Sequence, residues 1–266
     1  MHTLPNTDIP LPRNIANAIG ASGYSADTVG CSGAKIFLFD NGLVLKAEAC
    51  GAESDRERDM LLWLEGKLAV PRVVEYACEG GLNWLLTTRL PGKMSCDAEY
   101  LRDPLLLAER LAAAFGLLWQ VDVSGLPSCA STLSTSLALA RTRLEAGLVD
   151  EDELEEETLG EGGFPDLFAA LGYLEKNAPA GGAPVFCHGD CCLPNIFIDG
   201  GGVSGFLDLG RAGRDNIWRD LALCVRSLRY NLGEAGERCV NALFDALGIA
   251  KAPDMIRYYI LLDEFF

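Results

Sequence analysis

Apolar residues run in short blocks through the first third of the chain and recur at helical spacing through the rest. Tyr24, the run Ile36 to Phe39, the turn Asp40-Asn41-Gly42 and the run Leu43 to Lys46 predict strands joined by a tight turn. A helix is expected from Ser54 to Leu64, with Met60, Leu61, Leu64 and Leu68 as its apolar stripe. Val70 to Val74 and Leu82 to Thr88 predict further strands of a small antiparallel sheet. Ahead of Tyr24 only a short helix, Arg13 to Ala21, is expected. Arg89-Leu90-Pro91-Gly92 breaks the pattern and reads as a hinge. Beyond it the period becomes helical: Asp103 to about Val121, Leu133 to Ala146, Asp166 to Lys176, Asp215 to Leu232, and a last helix opening at Pro253. The pattern predicts an α+β chain of two lobes, a sheet lobe over 1–90 and a larger, mostly helical lobe over 91–266. No repeat or low-complexity linker argues for separate domains.

Polar residues interrupt this pattern where apolar runs would otherwise continue. The stretch Val185 to Ile198 carries His188, Asp190 and Asn195, and the hairpin after it, turning at Asp199 to Gly202, ends at Asp208-Leu209-Gly210. A carboxylate followed five residues later by an amide, then a second carboxylate beyond a hairpin, is the outline of a phosphoryl-transfer site as protein kinases build it. In such chemistry the protein aligns a hydroxyl and neutralises charge, so Asp190 serves as base while Asn195 and Asp208 offer hard oxygens to Mg2+. A Gly-Asp pair also reads as an ordinary turn, and His188 as a satisfied structural histidine. The chain has two histidines, His2 and His188, which excludes His-rich zinc sites.

Lys46 closes an apolar strand, an awkward place for an ammonium without anionic partners. Glu57 lies one turn before Met60 and Leu61 on the same stripe and is positioned to pair with it, as in the kinase lysine–glutamate clamp. The same residues also read as a capping box, Ser54-x-x-Glu57. Thr28 to Lys35, with Gly30 and Gly33, could be a phosphate-covering loop or a plain hairpin.

Together, His188-Gly189-Asp190 with Asn195 and Asp208-Leu209-Gly210-Arg211 resembles the aminoglycoside phosphotransferase family. The tail Tyr258 to Phe266 is similar to its 3'-phosphotransferases in particular, and the similarity runs from about Val29 to the last residue. The resemblance implies a bilobal protein-kinase-like fold and transfer of the γ-phosphoryl group of ATP to an aminoglycoside hydroxyl, the 3'-hydroxyl in particular, conferring resistance. It places Ser32 in the phosphate loop and Lys46 and Glu57 at the clamp. It gives antibiotic contacts to Glu153 and Glu156 of an acidic loop, and to Asp263, Glu264 and the carboxylate of Phe266. Arg211 can bridge carboxylates or steady Asp190. Where some relatives carry an acid that binds an amino group, this chain has Tyr230-Asn231.

Composition adds direction. With 22 Lys and Arg against 38 Asp and Glu, the net charge of −16 disfavours nucleic acid or an anionic membrane and favours a cationic partner. Acids at the end of the last helix oppose its macrodipole unless a cation joins them. The acidic run Asp150 to Glu157 reads equally as a solvated surface. Ten cysteines in largely apolar settings read as reduced residues of a cytoplasmic protein. No leader or membrane span is expected. A kinase of another small cationic metabolite and a nucleotide-binding protein without turnover share many of these features.

Overall fold

The computed structural model describes residues 10–27 and 34–266. After helix α1 (Arg13–Ile19) come β1 (Tyr24–Asp27), β2 (Lys35–Phe39) and β3 (Leu43–Ala49), then α2 (Ala52–Leu64), β4 (Val73–Glu79) and β5 (Leu82–Thr88). The five strands form one antiparallel sheet in the order β1-β2-β3-β5-β4. Alternation along these strands turns Phe37, Phe39, Leu45, Ala47, Trp84 and Leu86 onto one face, where Ile15 and Ile19 of α1 close a small core.

The chain leaves the sheet after β5 and, past a short strand β6 (Lys93–Met94), becomes helical: α3 (Ala98–Leu101), α4 (Pro104–Trp119), α5 (Leu133–Glu145) and α6 (Leu167–Lys176). Asp103 caps α4, and Pro104 sits in its first turn, where the missing N–H costs nothing. Next come β7 (Val185–Cys187), the hairpin β8 (Ile196–Asp199) and β9 (Gly202–Phe206), and β10 (Gly213–Asp215), which pairs with β7. Helices α7 (Trp218–Leu232), α8 (Gly236–Leu247) and α9 (Pro253–Asp263) close the fold. Among the described residues no helix is long and apolar enough to cross a membrane.

The large core gathers α4, α6, α7, α8 and α9 around β7 and the hairpin, and it also takes in Met60, Leu61 and Leu64 of α2. Thus α2 buries its apolar stripe between the helical lobe and Leu85 of the sheet. Gly92, at the crossing, has a positive φ of 85°, and a Cβ there would stand 2.0 Å from the Ile198 carbonyl oxygen. Only glycine lets the hinge approach β8 this closely.

Several boundaries differ from the pattern-based expectation. The strand predicted at 70–74 lies at 73–79, because Pro71 cannot donate to a ladder. α2 begins at Ala52 behind Gly51, not at Ser54. The helix expected from Asp215 starts at Trp218, since 213–215 pair with β7. α8, unread in the pattern, nonetheless carries Cys239, Val240, Leu243 and Phe244 buried at helical spacing.

Candidate active site

The hairpin does what its glycine turn suggested. Ile196 faces Phe206 in register, and the Leu207 amide donates to the Asn195 carbonyl at 2.9 Å, so Asn195 and Asp208 leave the same end of β8 and β9. The 3-10 turn Leu193–Asn195 folds the amide of Asn195 back on the loop. Its Nδ2 donates to the Asp190 carbonyl at 2.9 Å and to Asp190 Oδ2 at 3.0 Å. Cys192 Sγ donates to Asp190 Oδ1 at 3.0 Å. Burial pushes the Cys192 thiol far above its ordinary value, so it stays a protonated donor. Both carboxylate oxygens of Asp190 are therefore oriented.

His188 is fully buried and structural. The Asp190 amide donates to its Nδ1 at 3.3 Å, which leaves Nε2–H to donate to the Leu207 carbonyl at 2.7 Å. The turn itself rests on a residue that the sequence pattern did not single out. Asp220, fully buried on α7, accepts the backbone amides of His188 (2.7 Å) and Gly189 (2.8 Å), one on each oxygen. Ser227, seven residues on along the same face of α7, accepts the Leu193 amide at 3.0 Å. Gly189 has φ 88°, and a Cβ there would stand 2.0 Å from the Arg211 carbonyl oxygen. The signal for Asp220 was a lone carboxylate inside the apolar face of α7.

Asp208 has φ 56°, the single positive value for a non-glycine among the described residues, and its side chain is 46 % exposed. Such backbone strain is maintained only where the surroundings impose it. Here buried Leu209 anchors the next position in the large core, and Gly210 lies against Glu53 and Glu57 of α2. Lys46 Nζ reaches Glu57 Oε2 at 2.8 Å, Glu48 Oε2 at 3.4 Å and Asp208 Oδ1 at 3.7 Å. Burial disfavours the ammonium, but the three carboxylates outweigh it and hold Lys46 above the usual lysine value. The capping-box reading of Ser54 and Glu57 does not hold: Ser54 Oγ donates to the Gly51 carbonyl, and Glu57 is buried against Lys46.

At the chain end, internal cations already meet most of the charge. Asp263 is gripped by Arg211 on one oxygen and Arg226 on the other. Arg143 donates to the carbonyl of Phe265 at 2.6 Å and to the terminal oxygen of Phe266 at 3.1 Å, and Arg211 stacks 4.6 Å from the Phe266 ring centroid. The clash of acids with the α9 macrodipole is thus relieved in part within the protein, by Arg143, Arg211 and Arg226. Glu264 differs. Its Oε1 accepts from Thr158 and from the Glu155 amide, whereas its buried Oε2 has no hydrogen-bond partner among the described residues. Burial pushes its pKa up to about 7.

Burial alone would raise the Asp263 carboxyl, but the two guanidinium groups outweigh it and hold it below its ordinary value. A depressed folded-state pKa stabilises the fold above the unfolded value of about 4, and that contribution vanishes as pH falls through the folded value. Asp263→Asn should therefore lower the Tm markedly at pH 7, with the gap from wild type closing below about pH 4 in thermal melts.

The acidic loop packs on this end through Thr158 and Glu155, and Glu156 is exposed there; Glu153 lies in the 3-10 turn Glu151–Glu153. Tyr230 is 89 % exposed, while Asn231 donates to the Ser227 carbonyl at 2.8 Å. Ser32 and most of the glycine-bearing loop lie outside the described residues.

The model of the phosphotransferase enzyme family matches residues 21–259. The chain is 38 % identical to an Enterococcus faecalis aminoglycoside 3'-phosphotransferase over 90 % of its own length and 92 % of the relative's. It is 33 % identical to the streptomycin 3''-kinase of Streptomyces griseus, covering 90 % and 91 %. The crystal structure of a type VIII aminoglycoside 3'-phosphotransferase superposes with a TM-score of 0.77 at 30 % identity, covering 92 % of this chain and 94 % of that one. The structure of a Streptomyces rimosus aminoglycoside phosphotransferase in complex with ADP and streptomycin superposes with a TM-score of 0.75 at 26 % identity, covering 95 % and 96 %. A family match over most of the chain, joined to a kinase-like arrangement of Lys46, Glu57, Asp190, Asn195 and Asp208, means that this chain belongs to the aminoglycoside phosphotransferase family.

Proposed function

We propose that the protein transfers the γ-phosphoryl group of ATP to a hydroxyl of an aminoglycoside, the 3'-hydroxyl in particular, in the cytoplasm, and so confers resistance. The observation that carries this reading is the convergence of oriented Asp190, Asn195 and Asp208 with the Lys46–Glu57 pair. The 3' position is supported by relatives named for that activity at 36–38 % identity.

Asp190, fixed by Asn195 and Cys192, orients the attacking hydroxyl and accepts its proton as the bond to phosphorus forms. Lys46, held by Glu57, places its charge on the α- and β-phosphates. Ser32 would add a contact from the phosphate loop. The donor set fits Mg2+. Asn195 spends only its amide nitrogen on Asp190, Asp208 presents a half-exposed carboxylate, and hard oxygens in small number suit an ion that keeps water and phosphate ligands. There, Mg2+ would neutralise charge on the phosphates of the nucleotide.

On the acceptor side, Glu153, Glu156 and Glu264 supply negative charge for the ammonium groups. Asp263 and the carboxylate of Phe266 add to that charge at the substrate site, where Arg211 pairs with Asp263 and stacks on the Phe266 ring. Because Glu264 Oε2 is unpartnered, Glu264→Gln should raise the KM for the antibiotic about tenfold or more with kcat nearly unchanged, as steady-state kinetics would show.

The test of the class is release of ADP by the purified protein with Mg2+ and ATP, with kanamycin present or omitted. Release stimulated by kanamycin is expected, with phosphate found on the 3'-oxygen by phosphorus NMR. Failure of every aminoglycoside to stimulate would overturn the reading, and phosphate at another hydroxyl would overturn its regiochemistry.

A further inference from the structure

Two cysteines of the sheet lobe face each other at solvent. Cys50 Sγ and Cys78 Sγ lie 2.8 Å apart, and both residues are exposed and reduced. Their register explains the approach. Cys78 on β4 stands opposite Asn83 of β5, and the Cys50 amide, just past β3, donates to the Gly81 carbonyl at 3.1 Å. Gly81 lies in the turn that joins β4 to β5, so this bond holds Cys50 at the same end of the sheet as Cys78. Gly81 has no side chain to stand between the thiols. Closing from 2.8 Å to a bond of about 2.05 Å asks each sulfur to move by roughly 0.4 Å.

We propose that Cys50 and Cys78 form a reversible dithiol–disulfide pair, oxidised by a low-molecular-weight disulfide, that braces the start of α2 against β4. One protein thiolate attacks a sulfur of the reagent R–S–S–R, forming a mixed disulfide and expelling R–S−. The second protein thiol, losing its proton, attacks the protein sulfur of that mixed bond and expels the other R–S−. Two protein S–H bonds are replaced by one S–S bond, and the two electrons leave as two R–SH.

The location gives the bond a consequence. Cys50 directly precedes Gly51, the N-cap of α2, and Ser54, Asp55, Tyr76 and Asn83 already join that helix start to β4 and β5 by hydrogen bonds. A bridge from 50 to 78 closes a loop around the whole of α2, the helix that carries Glu57. It therefore restricts the unfolded chain most where the clamp is built.

The experiment uses the full chain, reduced and then incubated with oxidised glutathione. The hydrogen bond shared with Cys78 raises the Cys50 pKa, so the incubation is run above neutral pH. After trapping with N-ethylmaleimide, intact mass should show two fewer free thiols. A tryptic digest should contain the peptides Ala47–Arg56 and Val73–Arg89 joined by a bond that dithiothreitol breaks. The oxidised protein should melt roughly 5 °C or more higher, a gain absent from Cys50→Ser and Cys78→Ser. Stable glutathione adducts on separate cysteines, a bridge to any other cysteine, or unmodified thiols would overturn the pairing. Joined peptides without a higher melting temperature would overturn the brace. Peptide mapping needs only the wild-type protein, so the pairing stays testable even if a variant folds poorly.

Discussion

Replacing Asp190 by alanine is expected to lower kcat about 100- to 10,000-fold while leaving nucleotide affinity almost unchanged. The reason lies in what the side chain touches. Its two oxygens are held by Asn195 and Cys192 in the catalytic loop, whereas the lysine assigned to the phosphates is anchored elsewhere, on β3 and α2. Removing the carboxylate deletes the proton acceptor and leaves Lys46, Glu57 and Asp208 in place. Single-turnover kinetics beside a fluorescent-nucleotide titration separates the two effects. A variant that turned over near the wild-type rate would remove Asp190 from the chemistry.

Asp220→Ala should produce the second large effect, and of a different kind. The substitution leaves the amides of His188 and Gly189 buried without an acceptor, at a cost of about 1–3 kcal/mol for each. It also frees the turn that places Asp190, so kcat should fall by about 100-fold, the penalty expected of a slightly misplaced catalytic group. Asp220→Asn keeps one acceptor and should fall between the two proteins in both properties. Urea unfolding and kcat measured on the same three proteins check this. If stability fell while kcat held, Asp220 would serve the fold alone.

The parts of the site that sequence made legible are those that lie close together along the chain. Asp190, Asn195 and Asp208 are linked by a turn and one hairpin, so strand alternation and a glycine turn suffice to bring them together. Lys46 and Glu57 could be paired because each conflicts with its own apolar surroundings and the other resolves the conflict. What the pattern concealed depends on tertiary neighbours. The cations that neutralise the chain end, Arg143, Arg211 and Arg226, come from α5, the segment after Asp208 and α7, and no local spacing ties them to Asp263 or Phe266. Cys192 looked like one more apolar thiol until its neighbour proved to be the Asp190 carboxylate. The sheet was legible as a set of strands, but the place of β5 between β3 and β4 was not.

The divided loyalty of α2 makes the Lys46–Glu57 contact an internal ruler. Met60, Leu61 and Leu64 tie the helix to the large core, which also takes in Leu85 of the sheet, while a second core around Phe39, Leu45 and Trp84 belongs to the sheet and α1. A motion that tilts the sheet away from the helical lobe either opens the seam between β3 and α2 or carries α2 along through its hydrogen bonds to Tyr76 and Asn83. The 2.8 Å ion pair spans that seam, so its length tells which of the two has happened.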